Sequence, residues 1–203
     1  MTKNEWVSYI KNHLLKIDET NKYHSVLIEK TIDTVYGQMF SEEYVKNKRG
    51  AWKYVKDYSE TMTASTVFST GHTLTNQPIT LPRINGGLFK FTYTTGGAAV
   101  ECELTGREMY DAINDSTYDT ADAPGKMFVA LSGADVFINV TLVKDDTITY
   151  SIIPKFSTLS DTDEVVVPFG AEEVLGDRVL DTMRMIPPVD LMNDNADRYG
   201  PTQ

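Results

Sequence analysis

The stretch "LFKFTYTTGGAAVECELT", residues 88–105, constrains the fold more tightly than any other part of the chain. Two glycines stand between two runs of alternating apolar and polar residues. A two-residue hairpin turn that matches the twist of its strands needs positive φ at both central positions, which glycine adopts without a steric penalty. Phe89, Phe91 and Tyr93 share one side of the first arm, and Val100, Cys102 and Leu104 alternate along the second. An antiparallel hairpin with one buried face follows. Cys102 then reads as a small core residue and not as a nucleophile.

The sequence on either side of this hairpin differs in texture. Trp6, Ile10, Leu14 and Ile17 fall at i, i+4, i+8 and i+11, the stripe of an amphipathic helix. A second helix carries Ile28, Ile32, Val35 and Met39 on one line, with Tyr36 and Phe40 beside them. That face is wider than a single packing partner needs, so it predicts packing on two sides and leaves apolar surface for other subunits. Beyond "NKRG" the pattern turns to strands, with Trp52, Tyr54, Lys56 and Tyr58 on one face and a short strand at Ile79 to Leu81 stopped by Pro82. "TGRE" reads as a capping box, Thr105 with Glu108, opening a helix to about Asn114.

"KMFVALS", "DVFINVTLV" and "TITYSIIP" follow in a row with short breaks, which predicts an antiparallel meander, and "DEVVVP" adds one more strand. A terminal helix is carried by Val174, Leu175, Val179, Leu180, Met183 and Ile186, with acids in its first turn and Arg184 in its last, as the helix dipole favours. Pro187 and Pro188 end it. The fold class is α+β: N-terminal helices (1–50), a mostly antiparallel, meander- or sandwich-like β domain with one short helix (51–168), then a C-terminal helix and extended tail (169–203).

Charge narrows the function. The chain carries a net −10; residues 1–60 hold 10 Lys and Arg against 9 Asp and Glu, so residues 61–203 hold 9 against 20, or −11. A surface that acidic repels phosphate backbones and argues against nucleic-acid binding. The cluster Lys46, Lys48, Arg49, Lys53 and Lys56 reads as a solvated face. With one cysteine the chain forms no internal disulfide and no four-cysteine metal knuckle. No signal peptide or membrane span is apparent, so the expectation is a soluble protein made in a cytoplasm, with no membrane association.

Neither phosphate-binding glycine pattern occurs, and there is no nucleophile elbow. His13 and His24 have no third ligand at a matching offset, and His72 is remote from the acidic half of the sequence. The loop acids Asp115, Asp119 and Asp122 read as solvated turn formers before they read as a glycosidase pair. In the tail, Asn193, Asn195 and Asp197 match the first ligands of a calcium loop, but Arg198 stands where the turn needs glycine. No catalytic residue, cofactor or metal site is assigned. Trp52, Tyr54, Tyr58, Tyr93 and Tyr118, with the acidic loop, keep a carbohydrate-binding or glycan-processing β domain as the alternative.

The order of elements and the phrase "VVVPFGAEEVLGDRVLDTMRMIPPVDLMNDNADRYG" resemble the small virion proteins that form rings between portal and tail in short-tailed phages, crAss-like and other Bacteroidota phages among them. The resemblance is loose over the N-terminal helices and better from about Gly86 to Gly200. It implies a non-enzymatic structural adaptor in the portal-tail connector of the virion, assembled in the host cytoplasm. It also implies a homo-oligomeric ring, twelve-fold where it meets the portal, that joins the portal and adjacent connector or tail proteins while DNA passes through its channel. On this basis the residues expected at subunit contacts are Ile28, Ile32, Val35 and Met39 on the second helix, Arg178 and Arg184 on the last, and Leu191, Met192, Asn193, Asn195, Arg198 and Tyr199 in the tail.

Overall fold

The architecture comes from a computed structural model, which describes residues 1–17, 25–47, 52–63, 66–67, 71–81, 87–114, 127–168 and 171–185. Helices and mixed, mainly antiparallel sheets make an α+β fold. The chain divides into two compact units, Met1–Tyr36 with Ser160–Gln203, and Gly37–Leu159. The first unit combines residues from before and after the β-rich segment.

In the first unit, α1 (Lys3–Ile17) starts at a reciprocal capping box. The Thr2 N–H donates to Glu5 Oε2 at 2.8 Å and the Glu5 N–H donates to Thr2 Oγ1 at 3.3 Å, so two of the helix's orphan donors are satisfied. The Thr2 N–H first, and then the Thr2 hydroxyl, hold the exposed Glu5 carboxyl below its ordinary pKa. Trp6, Ile10 and Leu14 are buried, as the periodicity predicts. Helix α2 (Ser25–Lys46) contributes buried Ile28, Ile32, Val35 and Tyr36. Residues 163–165 run beside the N-terminus: the Lys3 N–H donates to Asp163 O and the Val165 N–H to Met1 O, both at 3.0 Å. "DEVVVP" is therefore an extended segment with one bridge, Thr2 to Glu164, and not a strand of the β domain. The Tyr36 hydroxyl donates to Val166 O at 2.8 Å. The last helix, Glu172–Met185, buries Leu175, Val179, Leu180 and Met183 and leaves Val174 exposed.

The second unit holds ten strands among the described residues: β1 (Lys56–Thr61), β2 (Thr66–Val67), β3 (His72–Thr73), β4 (Leu88–Thr95), β5 (Ala98–Glu101), β6 (Glu103–Thr105), β7 (Phe128–Ser132), β8 (Asp135–Ile138), β9 (Thr141–Leu142) and β10 (Thr147–Ile152). One sheet has the order β1-β10-β4-β5 and a second β3-β8-β7-β6, with β2 and β9 as a small pair. All pairings are antiparallel except β6 with β7. Residues from both sheets meet in one apolar cluster that includes Leu88, Phe91, Val129, Val136, Ile138, Ile148, Tyr150 and Ile152. Helix α3 (Arg107–Asn114) follows β6, and the Glu172–Met185 helix is α4.

The hairpin forms as predicted, with Thr95 opposite Ala98 and Gly96 and Gly97 at φ 55° and 84°. Its second arm does not stay in one sheet. Up to Glu101 it pairs with β4, and from Glu103 it pairs with β7, so the chain changes sheets at Cys102. The expected meander is also absent, because β10 leaves its sequence neighbours to lie between β1 and β4. Trp52–Tyr54 is a 3-10 turn, so the four-residue aromatic face expected there reduces to Lys56, Tyr58 and Glu60 half-buried on β1. Ile79 and Leu81 are buried outside any strand, next to the bridge between Pro78 and Pro154. Thr105 ends β6, and Gly106, whose carbonyl accepts the Tyr110 N–H, caps α3 in its place.

Gly87 takes a φ of +102°, and a Cβ there would lie 2.1 Å from Ile79 O. Gly87→Ala is expected to destabilise the second unit by at least about 2 kcal/mol, since strained backbone and a backbone clash add. Urea denaturation of the full chain checks it, and a wild-type midpoint would contradict it.

Candidate functional site

Among the described residues, a constellation of titratable groups surrounds Glu60. Strand alternation places Asp57, Ser59 and Thr61 outward and turns Glu60 toward the interior, where a carboxylate needs partners. Glu60 Oε1 accepts the Tyr150 hydroxyl in a very short hydrogen bond and the Thr75 N–H at 2.8 Å. Its other oxygen lies 3.2 Å from His72 Nε2. The Tyr150 oxygen in turn accepts the Asn76 N–H at 3.3 Å, and the Tyr58 ring stacks on Tyr150 with centroids 5.9 Å apart.

The Tyr150 ring is fully buried, and its pKa rises, first through burial and then through the bond to Glu60. A phenol that keeps its proton so firmly, with its oxygen engaged on both sides, is poorly suited to proton transfer. The bonds of Thr75 and Asn76, with the His72 contact, instead tie residues 72–76 to the first sheet, and the Tyr150–Glu60 bond joins β10 to β1 within it, so the cluster works as a clamp. Sequence reasoning set His72 aside and missed Glu60. The legible signal was an acid at an inward strand position; its partner Tyr150 lies 90 residues away.

Two further chemical candidates, His13 and Cys102, have structural surroundings. His13 Nδ1 lies 2.9 Å from Tyr9 O, with the rings 4.2 Å apart, which is a structural role inside α1. Cys102 is buried, and its thiol is pushed up from 9.0 to about 12 by burial, with Glu101 adding to the effect. Among the described residues there is no cluster of three His, Cys, Asp or Glu that could hold a metal ion. His24 and the acids Asp115, Asp119 and Asp122 lie outside the described residues.

Among the described residues, the aromatic side chains singled out for sugar binding do not share one exposed face. Tyr54 and Tyr93 are buried, Tyr58 is covered on one side by Tyr150, and Tyr118 lies outside the described residues. Trp52 is 55% exposed, but its ring meets Phe89 edge-on at 5.0 Å.

The expected subunit-contact residues separate by burial. Ile28, Ile32, Val35 and Met39 are all buried within this chain, at most 7% exposed. The breadth of the α2 face is used up internally, so these four are core residues and not surface contacts. Arg178 and Arg184 are exposed on α4, where Arg184 pairs with Asp181 at 2.8 Å. Met185, at the end of the same helix, is 83% exposed. Leu191, Met192, Asn193, Asn195, Arg198 and Tyr199 lie outside the described residues.

Among the described residues no helix is long and apolar enough to cross a membrane. No protein-family model matches the chain, and no curated protein matches it significantly.

Two consequences of the buried groups are measurable. Glu60→Ala strands the Tyr150 hydroxyl and the Thr75 N–H, so it is expected to cost at least about 2 kcal/mol and to speed hydrogen exchange at Thr75. Unchanged exchange there would show that the carboxylate does not hold the segment. Tyr150 and Cys102 both titrate higher in the fold than in the unfolded chain, so their contributions are intact below their unfolded pKa values and fall as pH rises toward the folded ones. Stability is expected to decline from about pH 9 upward, by up to about 1.4 kcal/mol per pH unit for each ionising group. Cys102→Ala with Tyr150→Phe should flatten that slope in denaturation curves taken across this range.

Proposed function

We propose that this chain is a structural subunit of the portal-tail connector of a short-tailed phage, one that closes into a ring with copies of itself and joins the portal to neighbouring connector or tail proteins. The observation that carries this reading lies in the stretch bearing the resemblance. Val165 and Val167 are buried, and α4 is seated by Leu175, Val179, Leu180 and Met183. The other side of that helix is a mixed surface of Glu173, Asp177, Arg178, Asp181 and Arg184, and it ends on exposed Met185. A rigid helix with a firmly packed inner face and a charged outer one suits a scaffold for subunit contacts.

The polar clusters support the same reading, since those around Glu60 and Thr2 serve to hold segments together. The charge of −11 over residues 61–203 suits a channel wall across which DNA must slide without sticking. The contacts fall to Arg178, Arg184 and the tail, with Leu191 and Met192 as an apolar anchor and Asn193, Asn195, Arg198 and Tyr199 as hydrogen-bonding groups for an adjoining subunit.

Purified full-length protein is expected to form closed rings, alone or on added portal, visible by negative-stain microscopy and countable by native mass spectrometry. A chain that remains a compact monomer and joins no portal or tail complex would refute the proposal. Deleting residues after Met192 should leave the thermal transition of the β unit unchanged while abolishing assembly. Rings that form undiminished without the tail would remove its assigned role.

A further inference from the structure

Two glycines sit in the interior of helices, Gly37 in α2 and Gly176 in α4, where glycine is less favourable than alanine by roughly fivefold in the helix equilibrium. One of them has a packing reason. A Cβ on Gly176 would lie 3.1 Å from Tyr9 Cε1, so the missing side chain lets α4 and α1 approach closely within the first unit. A Cβ on Gly37 would meet nothing within 4 Å, and its φ is not positive. Neither close approach nor backbone conformation within this chain asks for glycine there.

The position of Gly37 in the chain supplies the reason. The chain passes between its two compact units twice, from Tyr36 to Gly37 and from Leu159 to Ser160. The first passage falls inside α2, which runs from Ser25 to Lys46 as one helix. Its two halves are anchored separately: the Tyr36 hydroxyl donates to Val166 O at 2.8 Å in the first unit, and the Phe40 ring meets Tyr54 edge-on at 5.3 Å in the second. Gly37 lies between these anchors.

The helix ahead of Gly37 is already loosened. The Thr31 and Thr34 hydroxyls donate back to Leu27 O and Lys30 O at 2.9 and 3.0 Å, a pattern that competes for the helix's own acceptors and favours bending. The second passage is a short extended connection. Leu159 has a ψ of 148°, its N–H donates back to Phe156 O at 3.2 Å, and the Ser160 N–H donates forward to Asp163 Oδ2 at 2.9 Å. Each of these amides is bonded within its own unit.

We infer that α2 bends at Gly37 and that the two units turn relative to each other as a hinge. Two covalent passages leave one easy motion, rotation about the line through both, with Gly37 flexing inside the helix and residues 159–160 twisting as the second pivot. In a regular α-helix the amides of Gly37, Gln38, Met39 and Phe40 donate across the junction, so the bend falls on those bonds. The inference stands whether or not the chain forms rings.

The test uses the full-length chain in a Cys102→Ala background, with spin labels on Asp177→Cys in the first unit and Lys144→Cys in the second, both exposed positions. Double electron–electron resonance is expected to give a wide distribution of label distances, which Gly37→Ala narrows by about twofold. Hydrogen exchange locates the motion: the amides of residues 37–40 should exchange about tenfold faster than those of Ile32 and Val35, and alanine should remove the difference. An alanine that merely stabilised the helix would slow exchange and leave the distances alone. Distributions of equal width with glycine and with alanine would therefore overturn the hinge, whatever exchange shows.

Discussion

Strand β10 is the element on which the larger unit depends. It arrives late in the chain and lies between β1 and β4, pairing antiparallel with both. Ile148, Tyr150 and Ile152 on its inner side are fully buried in the cluster shared by both sheets. Without it β1 would have no partner and the hairpin would be a two-stranded ribbon, which is marginal in water. Its influence extends past its own ladder. The Tyr150 hydroxyl and Glu60 hold residues 72–76, while Ile153 and Lys155 exchange backbone hydrogen bonds with Ile79 and Gln77. The cost of this design is entropic: a strand near residue 150 must find partners near residues 60 and 90 before any of these contacts contribute.

What was legible in the sequence was local. The stripe Trp6, Ile10 and Leu14, the helix through Leu175 and Met183, and the Gly96-Gly97 turn all obey periods set by neighbouring residues, and all appear. The failures occur where a distant partner decides. The pattern T-x-x-E occurs at Thr2 and at Thr105. Only the first forms a reciprocal cap, because Thr105 is already committed to β6 beside β7. The three-strand meander failed for the same reason, since sequence adjacency favours hairpins but burial of Tyr150 drew β10 elsewhere.

The site was less legible than the fold. A wide apolar face on α2 has the same composition whether it is covered by its own chain or by another, and here its own chain covers it. With Met39 and Ile28 buried, the exposed surfaces are ones that periodicity does not mark, such as the outer side of α4 and the outward peptide groups of a sheet edge. Edge chemistry belongs to the backbone, so side-chain patterns are nearly blind to it. Glu60 was hidden differently: one acid in an unremarkable strand, meaningful only once Tyr150 and Thr75 are beside it.

The change of sheets at Cys102 has a mechanical meaning. Its N–H is bonded to Phe91 in the first sheet, and the next residue donates from Glu103 to Met127 as the chain enters the second. One residue thus connects β5 to β6 with no slack. A pull directed along β5 passes straight into β6, whose parallel ladder with β7 then bears it as shear across several hydrogen bonds at once instead of peeling them one by one. A strand at the margin of one sheet is in this way anchored in the body of the other.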